Sequence, residues 1–232
     1  MLIERTRSKG LRKFIPQPER YAERYGRFTV TERDLAILDL VYRYRFVEAR
    51  HVRALIGGSE QQITRRLQGL FHSAYLGRYA RRERMRLELD PGAPLIAYGL
   101  ELRGARVLER CRDAAATAPG SAGVRWKKEY TRRTEWFLEH QLAVSNFRCA
   151  LEVALRHSSN AELLTWKQGK GIRFRVTIPG HERQLCFAPD AYFVLRQEHQ
   201  IRHFYLEVDR GTEEHRRLLR KYLGYYADSG PS

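Results

Sequence analysis

The run HFYLEVDRGTEE near the C-terminus sets two carboxylates, Glu207 and Asp209, on alternate residues. At strand period His203, Tyr205, Glu207 and Asp209 fall on one side, and Phe204, Leu206 and Val208 on the other. A third carboxylate, Asp190, opens the run DAYFVL directly after Pro189 and shares a face with Tyr192 and Val194. The short turn RQEHQ separates the two runs, so antiparallel pairing predicts Asp190 close to Glu207. Clustered carboxylate oxygens are the ligands that Mg²⁺ or Mn²⁺ takes. An ion held there activates water and neutralises charge on a scissile phosphate. In that chemistry Asp190, Glu207 and Asp209 are candidate metal ligands and catalytic residues, with Glu139 as a further carboxylate. Lys221, in the closing helical stretch, is the candidate for orienting the attacking water; Lys167 and Lys170 are weaker ones. The competing chemistry is an ion-pair network in which Arg173, Arg175 or Arg210 holds the acids, with no cofactor. The abundance of arginine favours that second arrangement.

The balance of charge points to a polyanion. The chain has 232 residues with 43 Lys and Arg against 27 Asp and Glu, a formal net charge of +16. Such an excess repels itself in a compact state, and nucleic acid is the commonest partner that relieves it. Arginine greatly outnumbers lysine, and the guanidinium fork matches phosphate and guanine bidentately. The three cysteines, Cys111, Cys149 and Cys186, are too far apart for a zinc pattern and odd in number. They are expected as buried, inert thiols of a reducing cytoplasm. No apolar run reaches the roughly 18 residues of a membrane span, and the N-terminus lacks the apolar stretch of a secretory signal. There is no phosphate-binding glycine loop and no histidine cluster of the kind that supports a strand-cleaving tyrosine. Tyr225 and Tyr226 sit in an apolar helical stripe and read as core.

Two halves must position these groups. Residues 1–28 are basic, contain two prolines and read as a flexible arm. Over 29–112 three helices precede a basic hairpin. The first helix starts at Thr31 with Asp34 three residues on, a shortened capping box. The second is EARHVRALI, stopped by Gly57 and Gly58, and the third, SEQQITRRLQGLFHSAYL, is capped by Ser59. In that third helix Ile63, Leu67, Leu70 and Ala74 form an apolar stripe, leaving Gln61, Arg65, Gln68 and His72 on the opposite face. Gln pairs with adenine and Arg with guanine, so this face is the candidate base reader. Thr64 and Arg66 flank it as phosphate contacts. The hairpin, turning at Asp90, Pro91 and Gly92, carries Arg78, Arg81, Arg82, Arg84 and Arg86. Alternation puts Arg82, Arg84 and Arg86 on one face, suited to a DNA backbone or minor groove. Residues 113–128 are small, polar and linker-like; 129–232 read as a long helix, several strands and a closing helix.

That order fits an α+β chain with an N-terminal winged helix-turn-helix. Its second half resembles the core of PD-(D/E)XK nucleases, with PD at Pro189–Asp190 and EVD at Glu207–Asp209. In that core a lysine stands where this chain has Asp209, a departure that makes a non-cutting, degenerate domain the leading expectation. The pieces EHQLAV (Glu139–Val144), PDAYF (Pro189–Phe193) and LEVDRGTE (Leu206–Glu213) resemble the replication-relaxation family of bacterial plasmids and integrated mobile elements. The likeness runs over roughly residues 30 to 227 and makes Asp209 a residue of the family's own pattern. It implies a double-stranded DNA-binding protein of the bacterial cytoplasm, associated with the nucleoid or a plasmid, acting in replication, relaxation or conjugative transfer. The partners it implies are a relaxase, a replication initiator or another mobile-element protein, with a homodimer also open. A metal-dependent DNA endonuclease and a transcriptional regulator with a C-terminal oligomerisation domain stand as the rival functions.

Overall fold

The computed structural model describes residues 12–80, 96–115, 134–169, 172–177, 184–209 and 224–225. The fold is mixed α+β, with six helices and three small antiparallel sheets among these residues. The chain forms two compact units, Met1–Cys149 and Ala150–Ser232.

In the first unit, β1 (Arg12–Lys13) and α1 (Pro18–Tyr25) precede α2 (Glu32–Tyr44). The Thr31 cap is present: the Asp34 carboxylate accepts from the Thr31 amide and hydroxyl, both at 2.8 Å. Arg45 ends the helix in left-handed backbone, φ 71°, and the chain turns at once into β2 (Phe46–Glu48). Next come α3 (Ala49–Ile56), α4 (Glu60–His72), β3 (Leu76–Ala80), β4 (Ile96–Leu100) and α5 (Leu102–Ala115). The strands form one sheet in the order β1-β3-β4-β2. Leu67 and Leu70 on α4, Ile37, Leu38 and Val41 on α2, and Tyr44 are fully buried. The hairpin expected after α4 is present at its base, with Leu76 opposite Leu100 and Ala80 opposite Ile96. Its tip, with Arg81, Arg82, Arg84, Arg86 and the Asp90 turn, lies outside the described residues.

Three expectations need correction. The arm 1–28 holds, in its described part, a strand paired to β3 and a helix set on α4, because Tyr21 and Phe28 find apolar seats there. Helix α4 stops at His72, so Ala74 leaves the apolar stripe and is exposed, with φ 59°. Strand β2 was not foreseen: FVE is too short to show alternation, and only its pairing with β4 defines it.

Helix α6 (Glu135–Arg156) was expected to open the second domain, yet the boundary between the units falls inside it. Its first part is core of the first unit. Leu138 and Leu142 pack with Phe46, Tyr79 and Ala97. Ser145 donates its hydroxyl to the Phe46 carbonyl at 2.8 Å, on the edge strand β2. Arg148 donates to the Arg43 carbonyl at 2.8 Å, satisfying an acceptor that the last turn of α2 leaves open.

His51 locks this docking. The Glu48 amide donates to His51 Nδ1 at 3.0 Å, so Nε2 carries the proton and donates to Asn146 Oδ1 at 2.6 Å. Burial pushes the imidazole below its usual value of 6.5, more than Asn146 and Glu48 raise it. A depressed histidine favours the folded state fully above the unfolded value and loses that advantage as pH falls through it. Thermal melting from pH 7.5 to 5.5 should therefore show falling stability, with a shallower fall in His51→Gln. An unchanged slope in that variant would assign the acid loss elsewhere.

The second unit contains β5 (Ala161–Gln168), β6 (Phe174–Thr177), β7 (Gln184–Phe187), β8 (Ala191–Gln197) and β9 (Gln200–Leu206). Strands β5, β8 and β9 make one antiparallel sheet, and β6 with β7 a separate hairpin inserted between β5 and β8. Trp166, Phe193 and Phe204 are cross-strand partners and stack across all three strands, at 5.3 and 4.9 Å between centroids. Tyr192 and Tyr205 stand opposite each other and pack with Phe174. The closing helix is described only at Gly224–Tyr225.

Candidate nucleic-acid interface

The outer face of α4 is where the sequence places a base reader, and the structure divides that face. Its N-terminal half is open: Gln61 and Arg65 are exposed. Thr64 is half-buried beside them. The C-terminal half is covered by α1 and the chain after it. Tyr21 stacks on His72 at 5.2 Å and 20°, and the Gln17 amide donates to His72 Nδ1 at 3.1 Å. Gln68 and His72 are accordingly half-buried.

Gly69 makes this cover fit. A Cβ at that position would lie 2.2 Å from Phe28 Cε2 and 2.9 Å from the Tyr21 hydroxyl oxygen. A helix-interior glycine costs about 1 kcal/mol in propensity, so the close approach of Phe28 is what the position gains. Gly69→Ala should lower the melting temperature despite the better helix former, because overpacking costs roughly 1–3 kcal/mol. A higher melting temperature would mean that Phe28 shifts without cost.

Arg66 is not placed as a phosphate contact. Its guanidinium pairs with Asp34, which is fully buried, through Nε to Oδ1 at 2.8 Å and through Nη2 to Oδ2. It also donates to the Thr29 carbonyl at 3.0 Å and lies 4.6 Å from the Phe28 ring centroid. The hydrogen bonds to Asp34 hold its pKa above the usual value. Arg78 is similarly committed, half-buried with its guanidinium over the rings of Phe14 at 4.7 Å and Phe71 at 5.9 Å.

In the second unit Asp190 and Glu207 are neighbours, as pairing predicted. The Asp190 amide donates to the Leu206 carbonyl at 3.0 Å, and the Val208 amide donates to Asp190 Oδ2 at 2.8 Å. Glu207 accepts from the Tyr225 hydroxyl, and Tyr225 packs on Phe187 and Tyr205. Asp209 is exposed beyond the end of β9. The expected three-carboxylate set does not form: among the described residues no group of three or more His, Cys, Asp and Glu is placed to hold a metal ion. The physical reason is that one carboxylate is turned onto backbone and another onto a phenol. Lys167 is exposed on β5, opposite Tyr192. Lys170, Lys221, Arg210 and Tyr226 lie outside the described residues.

A family model described as replication-relaxation matches residues 38–229, most of the chain. The chain belongs to the replication-relaxation family. Membership points to a role in the replication or relaxation of mobile elements. Comparison with curated proteins and with solved structures gives no match.

In this replication-relaxation chain the match takes in α4, α6 and the PDAYF and LEVDRGTE runs, whereas α1 lies before it. Sequence reasoning missed α1, although Pro18 at a helix start and Tyr21 and Tyr25 four residues apart were its signal. The expectation of three buried thiols holds for one of them. Cys149 is buried in α6, but Cys111 and Cys186 are exposed. No helix among the described residues is long and apolar enough to cross a membrane.

Proposed function

We propose that the chain binds double-stranded DNA through its first unit, in the replication, relaxation or transfer of a mobile element. The observation that carries this reading is the exposed N-terminal half of α4, with Gln61 and Arg65, in a chain of net charge +16. The order α2, β2, α3, α4, β3, β4 supports a winged helix-turn-helix reading, in which α4 is the helix offered to the major groove. Gln61 is then the base contact, with Thr64 at the flank. Arg82, Arg84 and Arg86 in the hairpin follow the backbone. Gln68 is a lesser contributor because α1 shields it, and Arg66 and Arg78 support the surface from within. Titration of a labelled duplex by fluorescence anisotropy tests the reading; absence of binding at low salt defeats it.

The second unit is read as a nuclease-like sheet that does not cut and instead orients a partner protein or a second copy. Asp190 and Glu207 stand side by side, which supports the nuclease-like reading, but their carboxylates are engaged by Val208 and Tyr225. Added Mn²⁺ should leave the melting temperature unchanged, and plasmid DNA should not be nicked. A rise in melting temperature, with nicking, both lost in Glu207→Gln, would make the chain a metal-dependent endonuclease instead.

A further inference from the structure

Tyr25, at the end of α1, is an exposed aromatic residue flanked by two arginines from different elements. The Arg24 guanidinium carbon lies 5.2 Å from its ring centroid, and that of Arg65, on α4, lies 5.9 Å from the same centroid. Both side chains are exposed, and neither guanidinium is in ion-pair contact with a carboxylate among the described residues. A ring attracts each cation through its quadrupole. It does not remove the repulsion between two cations gathered at one ring, which an anion between or beside them would. The guanidinium fork is the side-chain group best matched to phosphate oxygens.

The pair is held in place by the seam under it. Tyr25 packs on Tyr21 at 5.0 Å, Tyr21 stacks on His72, and Phe28 sits over Gly69. Arg24 is thereby fixed beside the open half of α4 and not left on a loose arm. We propose that Arg24 and Arg65, gathered by the Tyr25 ring, form a phosphate clamp that grips the DNA backbone next to the base-reading end of α4. The clamp rests on the reading of the first unit as a duplex-DNA binder. It assigns Arg65 to phosphate rather than to guanine, and it makes α1 a working part of the interface. Tyr25 is a positioning residue: it places the guanidinium groups and need not touch DNA.

The test uses the full chain and a labelled duplex of random sequence, titrated by anisotropy over a range of salt. Arg24→Ala and Arg65→Ala should each weaken binding about tenfold and lower the salt slope by about one unit, the signature of a lost phosphate contact. Tyr25→Ala should weaken binding comparably, while Tyr25→Phe, which keeps the ring, should bind as the wild type does. Arg24 is exposed and its guanidinium lies over the Tyr25 ring, so Arg24→Ala remains decisive if Tyr25→Ala fails to fold. Wild-type binding with affinity and slope unchanged in Arg24→Ala overturns the clamp and leaves the DNA reading standing. A wild type that binds no duplex at all overturns the DNA reading itself, and the clamp with it.

Discussion

Affinity for duplex DNA should fall by about three orders of magnitude between roughly 50 and 200 mM salt, the loss that goes with about six neutralised phosphates. The cations available for these contacts come from three places. Arg24 and Arg65 both lie against Tyr25 at the α1–α4 seam, Arg20 and Arg27 are exposed nearby in sequence, and Arg82, Arg84 and Arg86 belong to the sequence of the hairpin. Each contact releases condensed counterions, and the free energy of that release shrinks as bulk salt rises. A slope of one or two units would show that only the seam touches DNA. Replacing Arg82, Arg84 and Arg86 together should flatten the slope and weaken cognate and random duplexes alike, since backbone contacts position without specifying. Gln61→Ala should instead weaken the cognate duplex selectively.

The largest stability effect should come from Asp34→Ala, with a loss of about 3–5 kcal/mol in urea unfolding, the range for a buried pair stripped of one partner. Asp34 is fully buried and does three things at once. It caps α2 through Thr31, pairs with Arg66 from α4, and so ties together two of the helices that carry the proposed reader. Its removal leaves a guanidinium, itself only 29% exposed, without its carboxylate. Arg66→Ala should also destabilise, because a buried acid is then left without its cation and keeps only its hydrogen bonds from Thr31. Arg65→Ala, one residue away and exposed, should leave stability unchanged while weakening DNA binding. Equal stability losses for Arg65→Ala and Arg66→Ala would show that the two arginines are not divided in this way.

The start of α4 was legible to the residue, because Ser59 caps it and Ile63, Leu67 and Leu70 bury a stripe at helical spacing; its end was not, because the chain turns after His72 into β3 with no glycine or proline to mark the stop. The neighbourhood of Asp190 and Glu207 was legible too, since a short turn fixes hairpin register. What those carboxylates do was not legible. Alternation tells which side of a strand a residue leaves from, but not that a backbone amide from Val208 or a phenol from Tyr225 meets it there. The Arg66–Asp34 pair was hidden for the same reason: helical spacing puts Arg66 at the flank of the outer face, and only folding brings Asp34 against it. Helix α1 was hidden because its interface is a few aromatic rings and not a hydrophobic stripe; none of its residues is buried.

Helix α6 bears on how this protein can be divided. The polar stretch 113–128 invites a cut that would isolate the first unit for study. Such a fragment would lack Ser145, and with it the hydroxyl that covers the outer edge of β2 at Phe46. It would also lack Leu138 and Leu142, uncovering Phe46 and Tyr79, which are 1% and 0% exposed in the intact unit. An open strand edge next to bare aromatic surface is a template for self-association. A truncation placed at the obvious linker should therefore yield aggregates, and a well-behaved fragment has to keep the chain at least through Cys149.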